Sequence, residues 1–396
     1  MQETHGGPGS CRVYYSSGAR LSWAQVNTAS GQFTELGSMT ANANVQYGVA
    51  DAASRHLYLA TSDSGPGMPP GQQHRLSCWA IDAASGALRA HGAPQVLPSR
   101  PLHLSLDGDG QHLLLAFHQP AALAVFEIAA DGSVGAQVTQ APFDTGVFLH
   151  QIVTTPGSQT ALVCARGNEA SASAPAQPGA VLVFDYQQGR LVPLAQLAVP
   201  AGLGPRGLAC HPDGKWLYAA FELGNQLGQF ALVEGVPHGP AAYLTSTLAD
   251  PTQSRAGPAQ RAGAIQLHPN GRLLYLTNRA DQTTLRDGVP VFAGGENNVA
   301  VFTLDPATGQ PSWLQHIDTG RIEARTLAIS PDGRLLIVGN QSALAVPEGS
   351  AVRTVAPGLT LFRILDDGRL VLLGRHDCPA DAPLIWMAIV PGRFNA

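Results

Sequence analysis

Apolar residues along this chain alternate with polar ones in short runs, the period of a strand with one buried face. They rarely recur at the three-to-four spacing of a helix, and no long helix is expected. One pattern returns seven times: an alternating apolar run, an aromatic residue, a few more residues, then a turn with glycine. It reads ARLSWAQVNTASGQF, HRLSCWAIDAASGAL, AALAVFEIAADGSV, AVLVFDYQQGRL, NQLGQFALVEG, NNVAVFTLDPATGQ and GLTLFRILDDGRL. Its aromatic positions are Trp23, Trp79, Phe126, Phe184, Phe230, Phe302 and Phe362. A second pattern, strand–turn–strand, precedes most copies: LACHPDGKWLYAAFE, IQLHPNGRLLYLTNR, LAISPDGRLLIVGNQ and LSLDGDGQHLLLAFH. Their Asp-Gly and Asn-Gly pairs mark tight hairpins, because such turns need positive φ.

The copies lie about 45 to 70 residues apart, the spacing of four-stranded blades with insertions. The chain is therefore expected to be all-β, a seven-bladed β-propeller spanning 1–396 as a single domain. The final segment, LIWMAIVPGRF, reads as a strand without its repeat, and the first segment supplies outer strands without an inner one. Joining N- and C-terminal strands in one blade closes the ring and hides sheet edges. An open β-solenoid is the alternative. Three stretches rich in Ala, Pro, Gly and Ser interrupt the spacing, at 167–179, 281–296 and 342–357. Each follows the second strand of a hairpin, so each projects from one disc face, as an irregular surface loop or as a lid.

The hairpins also align a set of polar residues. Positions equally far from a turn face each other across the pair. Eight residues either side of Gly214 stand Arg206 and Glu222; around Gly333, Arg325 and Gln341; around Gly271, Gly263 and Arg279. The same count gives His150 and Arg166 around Ser158, Leu102 and His118 around Gly110, and Gln46 and Ser62 around Ser54. Ten of these twelve positions are polar, although the strands between are mostly apolar. Solvated strand ends would explain polarity alone. They do not explain why Arg166, Arg206, Arg279 and Arg325 gather with His118 and His150 around a single acid, Glu222. Such a ring reads as an anion site, since arginine suits bidentate carboxylate or phosphate binding. His103, near a strand start, is a further binding candidate. His211 and His268 sit in turns at the far hairpin ends and read as turn residues, while Cys210 beside Arg206 reads as packing.

Composition narrows the classes. The net charge of −5 with 13% charged residues argues against nucleic-acid binding. The five cysteines are dispersed, with no CxxC pair, and no stretch is long and apolar enough to span a membrane. With no apolar signal segment at the N-terminus, a cytoplasmic, monomeric protein is expected. A ring with one acid is poor for Ca²⁺, so no metal is expected, and no cofactor.

The segments PRGLACHPDGKWLYAAFEL, HPNGRLLYLTNR and ARTLAISPDGRLLIVGNQ resemble the propeller lactonases, a family that includes 6-phosphogluconolactonase and carboxymuconate cycloisomerase enzymes. Its hallmark is Pro-Arg near an HPxG turn with Glu sixteen residues after the Arg, here Arg206 and Glu222. LHQIV around His150 resembles the family's catalytic histidine strand, and the TNR ending at Arg279 is similar to its SNR arginine. This chain has PRG and FE where the family commonly reads PRH and NE, so Gly207 and Phe221 alter the surroundings. The resemblance implies hydrolysis of an anionic lactone. Glu222 would be the general base, Arg206 the oxyanion stabiliser and His150 the proton donor to the leaving oxygen. Arg279 and Arg325 would anchor the substrate's anion, with Arg166, His118, His103 and Gln341 around them. Cycloisomerisation of a muconate-type diacid uses the same groups, and a non-catalytic binding propeller is the reading from another class.

Overall fold

The computed structural model describes residues 9–69, 71–170, 175–252, 258–349 and 351–391. Seven four-stranded antiparallel sheets follow one another around an axis. Blades 1 to 6 occupy residues 44–96, 101–137, 149–198, 205–246, 261–318 and 322–377. Blade 7 takes its inner strand from the C-terminal end, Met387–Pro391. Its other three come from the N-terminal end: Ser10–Ser17, Arg20–Asn27 and Phe33–Thr40. Cys11 pairs with Pro391 and Tyr15 with Met387, so main-chain hydrogen bonds between the two ends of the chain close the ring within blade 7.

All seven recurring aromatics stand in third strands, counted from the axis. Their rings fill the space between neighbouring sheets. Tyr218, Ala220 and Leu227 of blade 4, for example, meet Leu274, Leu276 and Phe302 of blade 5. Each fully buried phenylalanine contributes about 1.5–3 kcal/mol.

A second device ties blade to blade. A tyrosine in the second strand donates to a glycine carbonyl in the next blade's outer turn: Tyr14 to Gly86, Tyr58 to Gly132, Tyr218 to Gly309 and Tyr275 to Gly368, at 2.6–2.9 Å. On the disc face carrying the inner-hairpin turns, His211 and His268 donate Nε2–H to the carbonyls of Gly271 and Gly333, at 2.8 and 2.9 Å. They are turn residues that latch adjacent blades, as the sequence suggested.

The insertions leave the opposite face. Two are regular hairpins, not irregular loops: Thr283–Arg286 with Val289–Phe292, and Leu344–Glu348 with Ala351–Val355. They meet where Arg286 Nη2 donates to the Gly349 carbonyl at 2.9 Å. The first insertion is pinned by a bridge between Asn168 and Gln177, and its residues 171–174 lie outside the described residues. No helix among the described residues is long and apolar enough to cross a membrane.

Candidate active site

The inner strands carry one irregularity in the same place on six blades. A β-bulge falls between Val45 and Tyr47, Pro101 and His103, Leu149 and Gln151, Pro205 and Gly207, Ala262 and Ile265, and Ala324 and Thr326. The residues left over are Gln46, Leu102, His150, Arg206, Gly263 with Ala264, and Arg325. These are the ring positions read from the sequence. A bulge re-aims the extra side chain, which is why polar groups emerge from strands whose other positions are apolar. Gly263 is required there, because a Cβ would fall 2.2 Å from Thr277 Oγ1.

The strand count therefore reached the bulge residues through the wrong pairing. Arg206 has no partner opposite; Pro205 pairs with Phe221 and Gly207 with Ala220. Glu222 lies one residue beyond the end of its strand and still meets Arg206, with Nε to Oε1 at 3.5 Å. Glu222 is only 3% exposed. It also pairs with Arg166 Nη1 at 3.1 Å and closely with Arg279 Nη2. Burial alone would push its carboxyl up. The neighbouring Arg279, Arg206, His150 and Arg166 outweigh burial and hold it well below the usual range.

A second acid, Glu323, corrects the expectation of a single one. It is 3% exposed and has φ of 57°. It accepts from Arg279 Nη1 at 2.7 Å, Arg325 Nη1 at 3.4 Å and the Ser342 hydroxyl at 2.7 Å. Its own N–H donates to Asn297 Oδ1 at 2.8 Å, which fixes the unusual backbone. Arg279 thus bridges both glutamates, which keep it charged against its burial.

A cavity of about 560 Å³ runs along the axis beside this network. At the bulge level it is lined by Gln46, Arg100, His103, His150, Arg206 and Arg325. Toward the turn face the wall is mixed, with Val49, Leu104, Val153, Ile265 and Leu327 alongside Ser105, Gln266 and Asp51. Glu222, Glu323, Arg166 and Arg279 stand behind the wall and do not line it. His118 also does not line it; it stacks on Phe148 with ring centroids 4.7 Å apart, and the Arg166 guanidinium lies 5.5 Å from the centroid of the same ring. Gln341 lines a separate shallow recess at the rim with Asp281 and Ser342. Phe221 faces the interior of the blades, 1% exposed and edge-on to Phe230.

Positive charge dominates the cavity. Burial and the nearby Arg279 draw Arg206 down to about 9, so it stays charged at neutral pH but under-neutralised. Its Nε is buried with no hydrogen-bond acceptor, the 3.5 Å approach to Glu222 being an ion pair without hydrogen-bond geometry. Burial, then Arg206, holds the imidazole of His150 well below 6.5 and that of His103 down to about 3. Both are neutral at pH 7. His103 leans on Tyr47, with ring centroids 4.3 Å apart, and its Nδ1 has no partner. Cys210 has its thiol pushed up to about 12 by burial, consistent with packing. Among the described residues, no three His, Cys, Asp or Glu side chains converge as a metal site.

The structure is a closed propeller with under-neutralised arginines at one end of its axial cavity. The chain belongs to the lactonase family of seven-bladed β-propellers, whose family model matches residues 10–347. A 6-phosphogluconolactonase of Serratia proteamaculans is 32% identical over 245 residues, covering 60% of this chain and 67% of that protein. A 6-phosphogluconolactonase of Pectobacterium carotovorum is 27% identical, covering 78% of this chain and 90% of that one. Among solved structures, a periplasmic gluconolactonase of Pseudomonas aeruginosa superposes with a TM-score of 0.75 at 23% identity, covering 97% of this chain and 99% of that chain.

Proposed function

We propose that this protein is a lactonase that opens an anionic lactone with water, without a metal. The observation that carries the reading is that neutral His150 and the under-neutralised Arg206 line the same cavity. A lactone carbonyl seated at Arg206 accepts an N–H from the cavity-facing end of its guanidinium. The guanidinium then stabilises the oxyanion formed when water attacks. His150 takes the proton from the attacking water and returns it to the ring oxygen as the C–O bond breaks. The product is an open hydroxy acid, and the imidazole is neutral again.

The proton role goes to His150 because Glu222 is poorly suited to it. Its carboxylate is engaged by three guanidiniums and does not line the cavity. Glu222 acts instead through the arginines, fixing Arg206 and Arg279. The relatives named for 6-phosphogluconolactone support a phosphorylated sugar lactone as the first substrate to try.

The test is turnover of 6-phosphogluconolactone, read as acid release above the spontaneous rate, by the wild type and by His150→Gln. The substitution keeps size and polarity and removes the base, so a loss of about 10²–10⁴ in kcat is expected. Wild-type turnover left intact in His150→Gln removes His150 from the chemistry.

A further inference from the structure

Arg100, which the ring count passes over, sits in the connection between blades 1 and 2 and lines the axial cavity. Its Nη1 donates to Gln46 Oε1 at 3.1 Å. Gln46 is itself fixed, because its Nε2 donates to the Ser64 and Asn44 carbonyls at 3.0 and 3.2 Å. The carboxamide oxygen is thereby left for the guanidinium, and Gln46 at its bulge is 3% exposed. Arg100 has no carboxylate partner among the described residues. Arg325 has one, Glu323, at 3.4 Å, and that glutamate is already shared with Arg279 and Ser342.

Two guanidiniums therefore face one cavity with little to neutralise them. Burial and the proximity of Arg325 draw Arg100 down to about 10. Arg325 is likewise lowered by burial and by Arg279. Buried like charges raise the free energy of the empty site, and a bound anion removes that cost. Their places in the ring matter as well. Arg325 comes from blade 6 and Arg100 from the start of blade 2, whereas His150 and Arg206 come from blades 3 and 4. Blades 7 and 1 lie between the two arginines on one side of the ring, and blades 3 to 5, which include those of His150 and Arg206, on the other.

We propose that Arg100 and Arg325 form a second anion subsite, which takes a carboxylate or phosphate of the substrate remote from the lactone carbonyl. The assignment to a substrate group rests on the lactonase reading; the subsite itself does not. Gln46 orients one fork and Glu323 the other, so that both present N–H groups to the same anion. The subsite selects lactones that carry a charged substituent besides the carbonyl, and it leaves neutral lactones unanchored.

Isothermal titration calorimetry with inorganic phosphate and, separately, succinate tests this at constant ionic strength. The proteins compared are the wild type, Arg100→Gln, Gln46→Glu and, as a control on an insertion hairpin, Arg286→Gln. Gln46→Glu places a carboxylate against an untouched Arg100, so it still reports if Arg100→Gln fails to fold. Wild-type binding of either probe, weakened about tenfold or more by Arg100→Gln and Gln46→Glu and unchanged by Arg286→Gln, is the expected result. Phosphate alone bound identifies a phosphoryl substituent, and succinate alone a carboxylate. No binding of either probe, or binding indifferent to both cavity variants, overturns the proposal. Because no turnover is read, a protein that binds phosphate through Arg100 but opens no lactone refutes the proposed function and leaves the subsite standing.

Discussion

Glu222→Gln separates an anchoring carboxylate from a catalytic base. The substitution changes almost no volume. It removes one negative charge from contact with Arg166, Arg206 and Arg279, in a residue 3% exposed. Breaking a buried ion pair by neutralising one partner costs about 3–5 kcal/mol, because the other charge stays buried without compensation. Here three cations lose their common acceptor, although Arg279 keeps Glu323 and the new amide oxygen still accepts one hydrogen bond. A loss of about 3 kcal/mol is expected, the lower end of that range. Urea denaturation at pH 7, followed by tryptophan fluorescence, reads it as a lower midpoint at similar slope.

The pH dependence supplies an internal check. The folded-state pKa of Glu222 is depressed, so its contribution is fully present above the unfolded value of about 4.3 and fades as pH falls toward the folded value. The gap between wild type and variant should be constant from pH 8 to 5 and narrow below about 4.3. A variant within about 1 kcal/mol of the wild type at pH 7 would refute the anchoring role. Together with abolished turnover, that result would restore Glu222 as the base.

Two further outcomes follow from the same geometry. Because burial and Arg206 keep His150 below 6.5, the base form persists through neutral pH. The kcat/KM profile should stay flat from pH 8 to about 6 and fall only on further acidification; an inflection near 7 would contradict a desolvated His150. Gly263→Ala sets a Cβ 2.2 Å from Thr277 Oγ1 and 3.0–3.1 Å from two carbonyls. A loss of about 1–3 kcal/mol is expected in thermal unfolding, and an unchanged Tm would show that the bulge can relax.

The architecture was legible because a propeller repeats its signals. Seven aromatics in third strands and Asp-Gly or Asn-Gly turns leave little freedom in blade number. The ring was legible for a less direct reason. The turn-centred count ignored bulges, yet each hairpin has its bulge at the same depth, so a constant error selected equivalent residues. Glu323 escaped because it lies two residues before Arg325, off the counted register, on a backbone with positive φ that no local sequence signal announces. Arg100 escaped because it lies in a connection, where strand periodicity says nothing. Arg166 and Arg279 were found, but sequence could not tell cations satisfied by glutamate from those left open to the cavity. Arg279 ends a second strand and Arg166 follows one, so whether each guanidinium meets a glutamate or the cavity is settled only by the packing of neighbouring blades.

The central claim is that a charged substituent is what the arginine ring recognises while Arg206 and His150 open the lactone. Comparing kcat/KM for 6-phosphogluconolactone with that for uncharged gluconolactone, at low and at moderate salt, tests it most directly. The account predicts a preference for the phosphorylated lactone of about 10²-fold or more, since a hydrogen-bonded charge pair is worth about 1.5–3 kcal/mol and two guanidiniums share the anion. The preference should shrink as salt rises. Equal turnover of the two lactones, or none of either above the spontaneous rate, would contradict it.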